Sequence, residues 1–150
     1  MVVEFLIFDL EKEFQIGSAG SYCLEKTHSI MTEHELKQRT KAFALRVIKL
    51  ASTLSKDFVG RRLGDQLLRA GTSVAANYRA ACRARSSADF ANKLGIAEEE
   101  ADESAFWLEL LAESGLVPAK RLASLASEAD QLTAIIVASR KTVGRKRRDF

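Results

Sequence analysis

Three arginines near the middle of the chain, Arg79, Arg83 and Arg85, stand just before the serine pair Ser86 and Ser87. Guanidinium groups bind phosphate oxygens through paired hydrogen bonds, and the free N–H groups at the start of a helix attract anions. The stretch NYRAACRARSSADFANKL, residues 77–94, therefore predicts a phosphate-binding site at the tip of a helical hairpin. One alternative stays open, in which these arginines are only the solvated polar surface of that tip.

A second basic cluster lies at the C-terminus, in the segment SRKTVGRKRRDF. Such segments bind nucleic acids by displacing counterions from the phosphates, whatever the base sequence. Phe150 is the only aromatic residue in the segment that could stack on bases, so sequence-specific readout is not expected. The segment predicts contacts to the phosphate backbone of RNA or DNA, or else a solvated tail that aids solubility. Its candidate residues are Arg140, Lys141, Arg145, Lys146, Arg147 and Arg148.

Residue types that carry catalysis or bind metals form no recognised pattern in the sequence. The two histidines, His28 and His34, do not belong to the Glu-x-x-His motif of di-metal helical bundles. The two cysteines, Cys23 and Cys82, lack the spacing of metal ligands and are predicted to be reduced thiols. We therefore predict no catalytic residues, no metal site and no cofactor, and expect that the protein is not an enzyme.

The composition predicts one soluble domain. The 150 residues are 47% hydrophobic and 29% charged, and they include one proline, Pro118. The net charge of +3 permits a nucleic-acid partner without requiring one. No stretch has the length and apolarity of a membrane span, and the first residues lack the basic segment of a signal peptide. We expect a cytoplasmic protein without membrane contact.

Four segments have apolar residues at every third or fourth position, at about 32–56, 61–84, 88–113 and 118–142. Thr32 and Glu35 form a capping box before the first segment. Gly60 separates the first two segments, and Gly71 inside the second predicts a close helix crossing. Gly115 ends the third segment. Short connections make neighbouring helices antiparallel, so the sequence predicts an all-α, up-down-up-down four-helix bundle.

The chain divides into three parts. Residues 1–31 are an N-terminal extension, in which VVEFLIFDL resembles a strand and GSAGS resembles a spacer. We expect a flexible arm or a misassigned start there, and an ordered strand or helix packed on the bundle is the alternative. Residues 32–143 form the bundle, and residues 144–150 form the basic tail.

Oppositely charged segments predict how the second and third helices pair. Residues that face each other in this antiparallel hairpin have numbers adding to about 171. The expected ion pairs are Arg62 with Glu109, Arg69 with Asp102, and Arg83 with Asp89. Arg79 and Arg85 face no acid in this register. The acidic run over residues 98–103 contains more carboxylates than the chain can pair internally, which favours a surface for a basic partner.

Three further residues are predicted to have structural roles in the second and third helices. Asn77 and Tyr78 lie on the apolar side of the second helix, and Phe90 is near the start of the third. An amide on an apolar face is costly unless it is hydrogen-bonded. We therefore expect Asn77 to bond either across to the third helix near Lys93 or to the backbone, and to fix the register of the two helices.

Trp107 stands between Phe106 and Leu108 on the third helix. Because successive helical residues point about 100° apart, one of the three is expected to face away from the core. An exposed aromatic residue at this position predicts a subunit interface. A wide core stripe that takes all three side chains is the alternative.

The stretch of residues 73–111 resembles the four-helix-bundle family of proteins encoded in intervening sequences of bacterial 23S ribosomal RNA genes. The resemblance extends over residues 32–143. Many members carry Phe-Pro-x-x-Glu and Glu-Gly stretches where this chain has FVGRR and RAAC, so the chain resembles a divergent branch. The matching residues are Ala76-Asn77, Asp89-Phe90, Lys93-Leu94, Ala97, Glu100, Glu103 and Trp107-Leu108.

This resemblance implies a homo-oligomer, in particular a pentameric ring. A relative, the accessory variability protein of diversity-generating retroelements, forms such a ring and binds nucleic acid and a reverse transcriptase. The function expected for this chain is therefore that of a non-catalytic, nucleic-acid-binding accessory protein. The alternative is a protein-interaction scaffold without nucleic-acid contact, whose acidic third helix faces a basic partner.

Overall fold

The computed structural model describes residues 31–54 and 56–146, with side chains described up to Thr142. This part of the chain forms four helices and no strand: α1 (Glu33–Ala51), α2 (Phe58–Ala81), α3 (Ser87–Glu113) and α4 (Ala119–Lys146). Successive helices pack along their lengths, whereas α1 meets α4 over a shorter stretch. The predicted all-helical bundle is confirmed over these residues, and the predicted extension, apart from Met31, lies outside them.

The start of α1 is the predicted capping box. The Thr32 hydroxyl accepts the Glu35 N–H at 3.2 Å, and the Glu35 carboxylate accepts the Thr32 N–H at 2.6 Å. The predicted break at Gly60 is wrong, because Gly60 lies in the first turn of α2. The side chain of Asp57 accepts the Gly60 N–H at 2.7 Å. An aspartate at this position stabilises a helix start, so α2 begins at Phe58 despite the glycine.

The other helix ends follow local signals. Ser86 caps α3, since its hydroxyl accepts the Asp89 N–H at 3.1 Å. Gly115 ends α3 with a φ of +72°, a left-handed conformation that glycine adopts without strain. The predicted end of the last helix near residue 142 is too early, because α4 continues to Lys146. Basic residues stabilise the last turn of a helix through its dipole, which explains the extension.

The core lies between all four helices and is made of aliphatic and aromatic side chains. At the crossing of α1 and α2, a Cβ added to Gly71 would lie 2.7 Å from Val47 Cγ2. The predicted close approach at this glycine is therefore confirmed. The largest fully buried side chains include Leu36, Phe43, Val47, Leu67, Val74, Tyr78, Leu94, Leu108, Leu111, Leu132 and Ile136.

Of the predicted structural residues, Tyr78 and Phe90 belong to this core. Burial raises the pKa of the Tyr78 hydroxyl far above its ordinary value, so that group stays neutral. Asn77 is half-buried, and its amide donates to the Ser73 carbonyl at 2.9 Å, one turn earlier in α2. This is the backbone alternative for Asn77. Because the bond stays within one helix, it does not fix the register of α2 against α3.

Candidate nucleic-acid interface

The first turns of α1 lie beside the last turns of α2, and together they form a basic groove. Its volume is about 170 Å³. All of its lining side chains except Gln38 are basic. We use the name basic groove for this set: His34, Lys37, Gln38, Lys41, Arg79 and Arg83.

Most of the positive charge in the basic groove is not neutralised. Glu33 forms an ion pair with Lys37, one turn along α1. Within residues 31–54 and 56–142, no ion pair involves Lys41, Arg79 or Arg83, and all three side chains are exposed. Two arginines one turn apart, facing a lysine on a second helix, match the charge and hydrogen-bonding needs of phosphate groups.

The start of α3, where a phosphate was predicted to bind, holds a carboxylate of the chain itself. The Asp89 side chain accepts the Arg85 N–H at 3.1 Å and forms an ion pair with Lys93. Lys93, and then the Arg85 N–H, hold the pKa of the Asp89 carboxyl below its ordinary value. This negative charge repels a phosphate. Asp89 pairs with Lys93 rather than with Arg83 as predicted, since a lysine one turn later on the same helix is within reach.

Charge pairing between α2 and α3 occurs, but with different partners from those predicted. Arg69 binds Glu100 at 3.3 Å and also binds Glu103. The predicted partner, Asp102, is exposed. The guanidinium reaches between two carboxylates on one face of α3, and residue 102 lies on another face. Antiparallel pairing thus predicted the right turn of the helix and the wrong residue within it.

The two carboxylates that bind Arg69 differ in acidity. Arg69, and then the Trp107 indole, hold the pKa of the Glu103 carboxyl below its ordinary value. Glu100 lies deeper, and burial raises the pKa of its carboxyl despite the nearby guanidinium. As pH falls, the Glu100 carboxyl is therefore expected to take up a proton, and to lose its ion pair with Arg69, before the Glu103 carboxyl does.

The sequence also matches a known protein family over most of the helical part of the chain. The family model of the 23S rRNA-intervening sequence protein matches residues 32–138. This chain belongs to that family. The matched range contains the whole basic groove and all of α1, α2 and α3. The predicted family resemblance is thereby confirmed.

A solved structure is similar to the chain over most of its length. It is the crystal structure of a protein of unknown function from the S23 ribosomal protein family of Bacteroides thetaiotaomicron. The two sequences are 33% identical, and the TM-score is 0.68. The similarity covers 73% of this chain and 97% of that chain. Among proteins with curated functions, none matches this chain.

The C-terminal basic residues that were predicted to bind nucleic acid differ from one another in their surroundings. Arg140 is engaged within the chain, because its Nε lies 3.0 Å from a Glu98 oxygen and its guanidinium covers Gly95. Lys141 is exposed on the next position of α4. Arg145 and Lys146 lie in the last turn of α4, for which only the backbone is described, and Arg147 and Arg148 lie outside the described residues.

The acidic run on α3 is largely paired within the chain. Ion pairs engage Glu98 with Arg140, and Glu100 and Glu103 with Arg69. Glu99 and Asp102 are exposed. The expectation that this run cannot pair completely within the chain is therefore confirmed, and Glu99 and Asp102 are its unpaired members in the described residues.

Of Phe106, Trp107 and Leu108, Phe106 is the residue that faces away from the core. Leu108 is fully buried, and Trp107 is half-buried with its indole N–H donating to Glu103 at 2.9 Å. Phe106 is 49% exposed and contacts the Trp107 ring, with ring centroids 5.2 Å apart. The exposed aromatic residue expected for a subunit interface is thus Phe106, while Trp107 links the surface to the core.

Sequence reasoning missed the α1 side of the basic groove. The antiparallel pairing of α2 with α3 carries no information about α1. The same rule applied to α1 and α2, with Val47 opposite Gly71, sets Arg79 and Arg83 within two residues of the positions opposite Lys41 and Lys37. The predicted crossing at Gly71 was the signal that could have revealed this groove.

The rest of the described structure offers little other chemistry. Over the described residues, no group of three or more histidine, cysteine or acidic side chains is arranged to hold a metal ion. Burial raises the pKa of the Cys82 thiol, which favours its unreactive protonated form. None of the helices within these residues is long and apolar enough to cross a membrane.

Proposed function

We propose that this protein is a non-catalytic accessory protein of the cytoplasm that assembles into a homopentameric ring and binds RNA or DNA through its basic groove. The observation that carries the proposal is the unneutralised charge of Lys41, Arg79 and Arg83 on two facing helices. The number of subunits follows the resemblance to the accessory variability protein of diversity-generating retroelements.

The basic groove lies near other basic residues of the chain, and this position supports a shared role in binding phosphates. It lies at the end of the bundle where α2 turns into α3, the end that also carries Arg85 and the C-terminal turn of α4. Each site alone supplies a few phosphate contacts. In a ring, several copies act on one strand, and the raised effective concentration multiplies a weak affinity.

The groove supports contacts to phosphates rather than to bases. Its side chains are basic or amide, and the His34 imidazole is the single ring that lines it, which offers little surface for stacking on bases. We therefore expect binding that varies little with base sequence and weakens steeply as salt concentration rises.

The test is a double charge reversal in the basic groove, Arg79→Glu with Arg83→Glu. Each new carboxylate faces a lysine of α1, so the fold is expected to tolerate the change. Binding to a fluorescently labelled single-stranded RNA is measured by anisotropy at several salt concentrations. We expect affinity at low salt to fall by at least about tenfold, with a shallower dependence of log affinity on log salt concentration.

The matched control is Lys120→Glu with Arg121→Glu, which changes the net charge equally at exposed positions near the start of α4. This control should bind RNA about as wild type does, apart from a small general electrostatic effect. The oligomeric state of both variants is checked by native mass spectrometry. Equal losses in the two variants would contradict a specific role of the basic groove.

A protein-interaction scaffold is the second candidate function. It is supported by the exposed Phe106 and by the neighbouring exposed acids Asp102 and Glu109 on α3. Wild-type protein that binds neither single-stranded nor double-stranded RNA or DNA at low salt would favour this candidate.

A further inference from the structure

Two apolar surfaces occupy the end of the bundle opposite the basic groove. The first lies between α1 and α2 and has a volume of about 340 Å³. We call it the glycine groove: its apolar members are Ile48, Ala51, Leu54, Gly60, Gly64 and Leu68. Ile48 and Leu68 are 44% and 36% exposed, which is costly for large aliphatic side chains with nothing over them.

The second surface lies between α3 and α4 and has a volume of about 600 Å³. We call it the acidic groove: Ala105, Phe106, Leu108, Ala112, Leu122 and Ala126 line it, together with the acids described next. Phe106 is its largest exposed apolar side chain. The small alanines around this ring leave room for a partner surface to approach.

The edges of the two grooves carry opposite charge. The glycine groove has Lys56 and Arg61 against one acid, Asp65. Three carboxylates and no base line the acidic groove: Asp102, Glu109 and Asp130. Across residues 31–54 and 56–142, no ion pair engages any of these three carboxylates. Both grooves therefore have an apolar floor, and the charge at the edge of one is complementary to the charge at the edge of the other.

The two grooves also lie at the same level along the bundle. The contacts of Arg69 with Glu100 and Glu103 set the α2 residues of the glycine groove beside the α3 residues of the acidic groove. One groove is on the α1 side of the α2–α3 pair and the other is on the α4 side. A rotation about an axis parallel to the bundle keeps this level, so one copy can bring its acidic groove against the glycine groove of the next.

We propose that these grooves form the head-to-tail contact between two copies of this chain, with Phe106 of one copy covering Ile48 and Leu68 of its neighbour. This inference rests on the oligomeric part of the proposed function and names the surfaces that build it. A head-to-tail contact uses two different surfaces, so an open chain of protomers has one free surface at each end until the ring closes.

The test reverses the charge of each groove separately. Lys56→Glu with Arg61→Glu makes both grooves acidic, and Asp102→Lys with Glu109→Lys makes both basic. We expect either double variant alone to assemble at least about tenfold more weakly than wild type, as measured by native mass spectrometry and sedimentation velocity. All four substituted positions are exposed, so folding should be retained, as checked by circular dichroism.

Two recombinations make the test specific. An equimolar mixture of the double variants should form mixed assemblies, because an acidic surface of one variant then meets a basic surface of the other. A ring of five cannot alternate throughout, so this mixture should favour open or even-numbered assemblies. The chain with all four substitutions has its charges exchanged and should assemble alone. Assembly of every variant as in wild type would overturn the proposal and would leave oligomerisation through another surface intact.

Other occupants of the grooves give distinct results. If residues 1–30 cover the glycine groove, full-length protein stays monomeric and assembles only after those residues are removed, which would overturn the proposal for the native chain. A monomer with and without residues 1–30 would overturn both this contact and the ring. RNA binding by that monomer would still leave the role of the basic groove standing.

Discussion

The arginines of α2 meet two different fates within the same helix. Arg69 faces α3 and is bound by Glu100 and Glu103. Arg79 and Arg83 lie about three and four turns later, face the lysines of α1, and line the basic groove. The residue type is the same, and the neighbouring helix decides whether its charge is used inside the fold or left for a ligand.

This difference teaches that the function of a charged residue in a bundle depends on helix neighbours rather than on local sequence. The bases of α2 are partly used to select α3 as the adjacent helix, since exposed ion pairs add little stability but favour correct pairing. Those that face α1 make no such contribution. Like charges held on two facing helices oppose folding, so a ligand that neutralises them would stabilise the protein.

The largest effect is expected from pushing apart the two helices that form the basic groove. Gly71→Ala places a Cβ 2.7 Å from Val47 Cγ2 and should lower the free energy of unfolding by about 1–3 kcal/mol. Urea unfolding followed by circular dichroism measures the loss. Gly95→Ala is the control, because its Cβ meets only the Arg140 side chain, with the guanidinium nitrogen at 3.2 Å, and the end of a long side chain can shift at little cost. Equal losses in both variants would show that α1 and α2 do not need this close contact.

A smaller effect is expected from exchanging the two kinds of arginine. Arg69→Glu brings a third carboxylate to Glu100 and Glu103, so it should destabilise the fold and leave RNA affinity nearly unchanged. Arg79→Glu brings a carboxylate to Lys41, so it should keep or raise stability and weaken RNA binding. Thermal unfolding and anisotropy on the same two proteins measure this crossed pattern. The comparison fails if both variants lose stability and affinity together.

The smallest effect is expected in the dependence of stability on acidic pH. The pKa of Glu103 is lowered in the folded protein, so its contribution to stability is present above its unfolded pKa and is lost as pH falls through the lower folded value. The pKa of Glu100 is raised, so protonation of Glu100 adds stability as pH falls. Glu103→Gln should therefore flatten the acid-induced loss of stability, and Glu100→Gln should steepen it.

Urea unfolding between neutral and acidic pH, followed by circular dichroism, measures both slopes. Lys41→Gln serves as the control, since no carboxylate pairs with this lysine in the described structure. Identical pH profiles for the two glutamate variants would mean that the pKa values of Glu100 and Glu103 are not shifted in opposite directions in the folded protein.

Much of the fold could be predicted because its signals are local. The capping box of Thr32 and Glu35 needs only four consecutive residues, and the glycine at position 71 marks a close contact whatever its partner. The errors occurred where two local signals competed. The Asp57 cap stabilises the start of α2 and offsets the helix-breaking tendency of Gly60 in its first turn. The basic residues at the end of α4 stabilise turns beyond the predicted end of that helix.

Less of the site could be predicted, since a groove needs two helices in known register. Arg79 was singled out correctly as a base without an acidic partner on α3. Its neighbour Lys41 is far away in sequence and stands in no motif. The pairing rule also places a partner only to within about one helical turn, and a guanidinium can reach any carboxylate within that turn. Asp102 was therefore predicted as the partner of Arg69, whereas Glu100 and Glu103 bind it.

Trp107 gives this molecule a built-in optical reporter. It is the only tryptophan of the chain, its N–H is bound to Glu103, and its ring contacts Phe106 at the edge of the acidic groove. Its emission should therefore respond to protonation of Glu103 and to any surface that covers Phe106. The basic groove lies at the other end of the bundle, so nucleic acid bound there should leave this emission unchanged. Intrinsic fluorescence can thus follow subunit contact and nucleic-acid binding as separate events in one unlabelled sample.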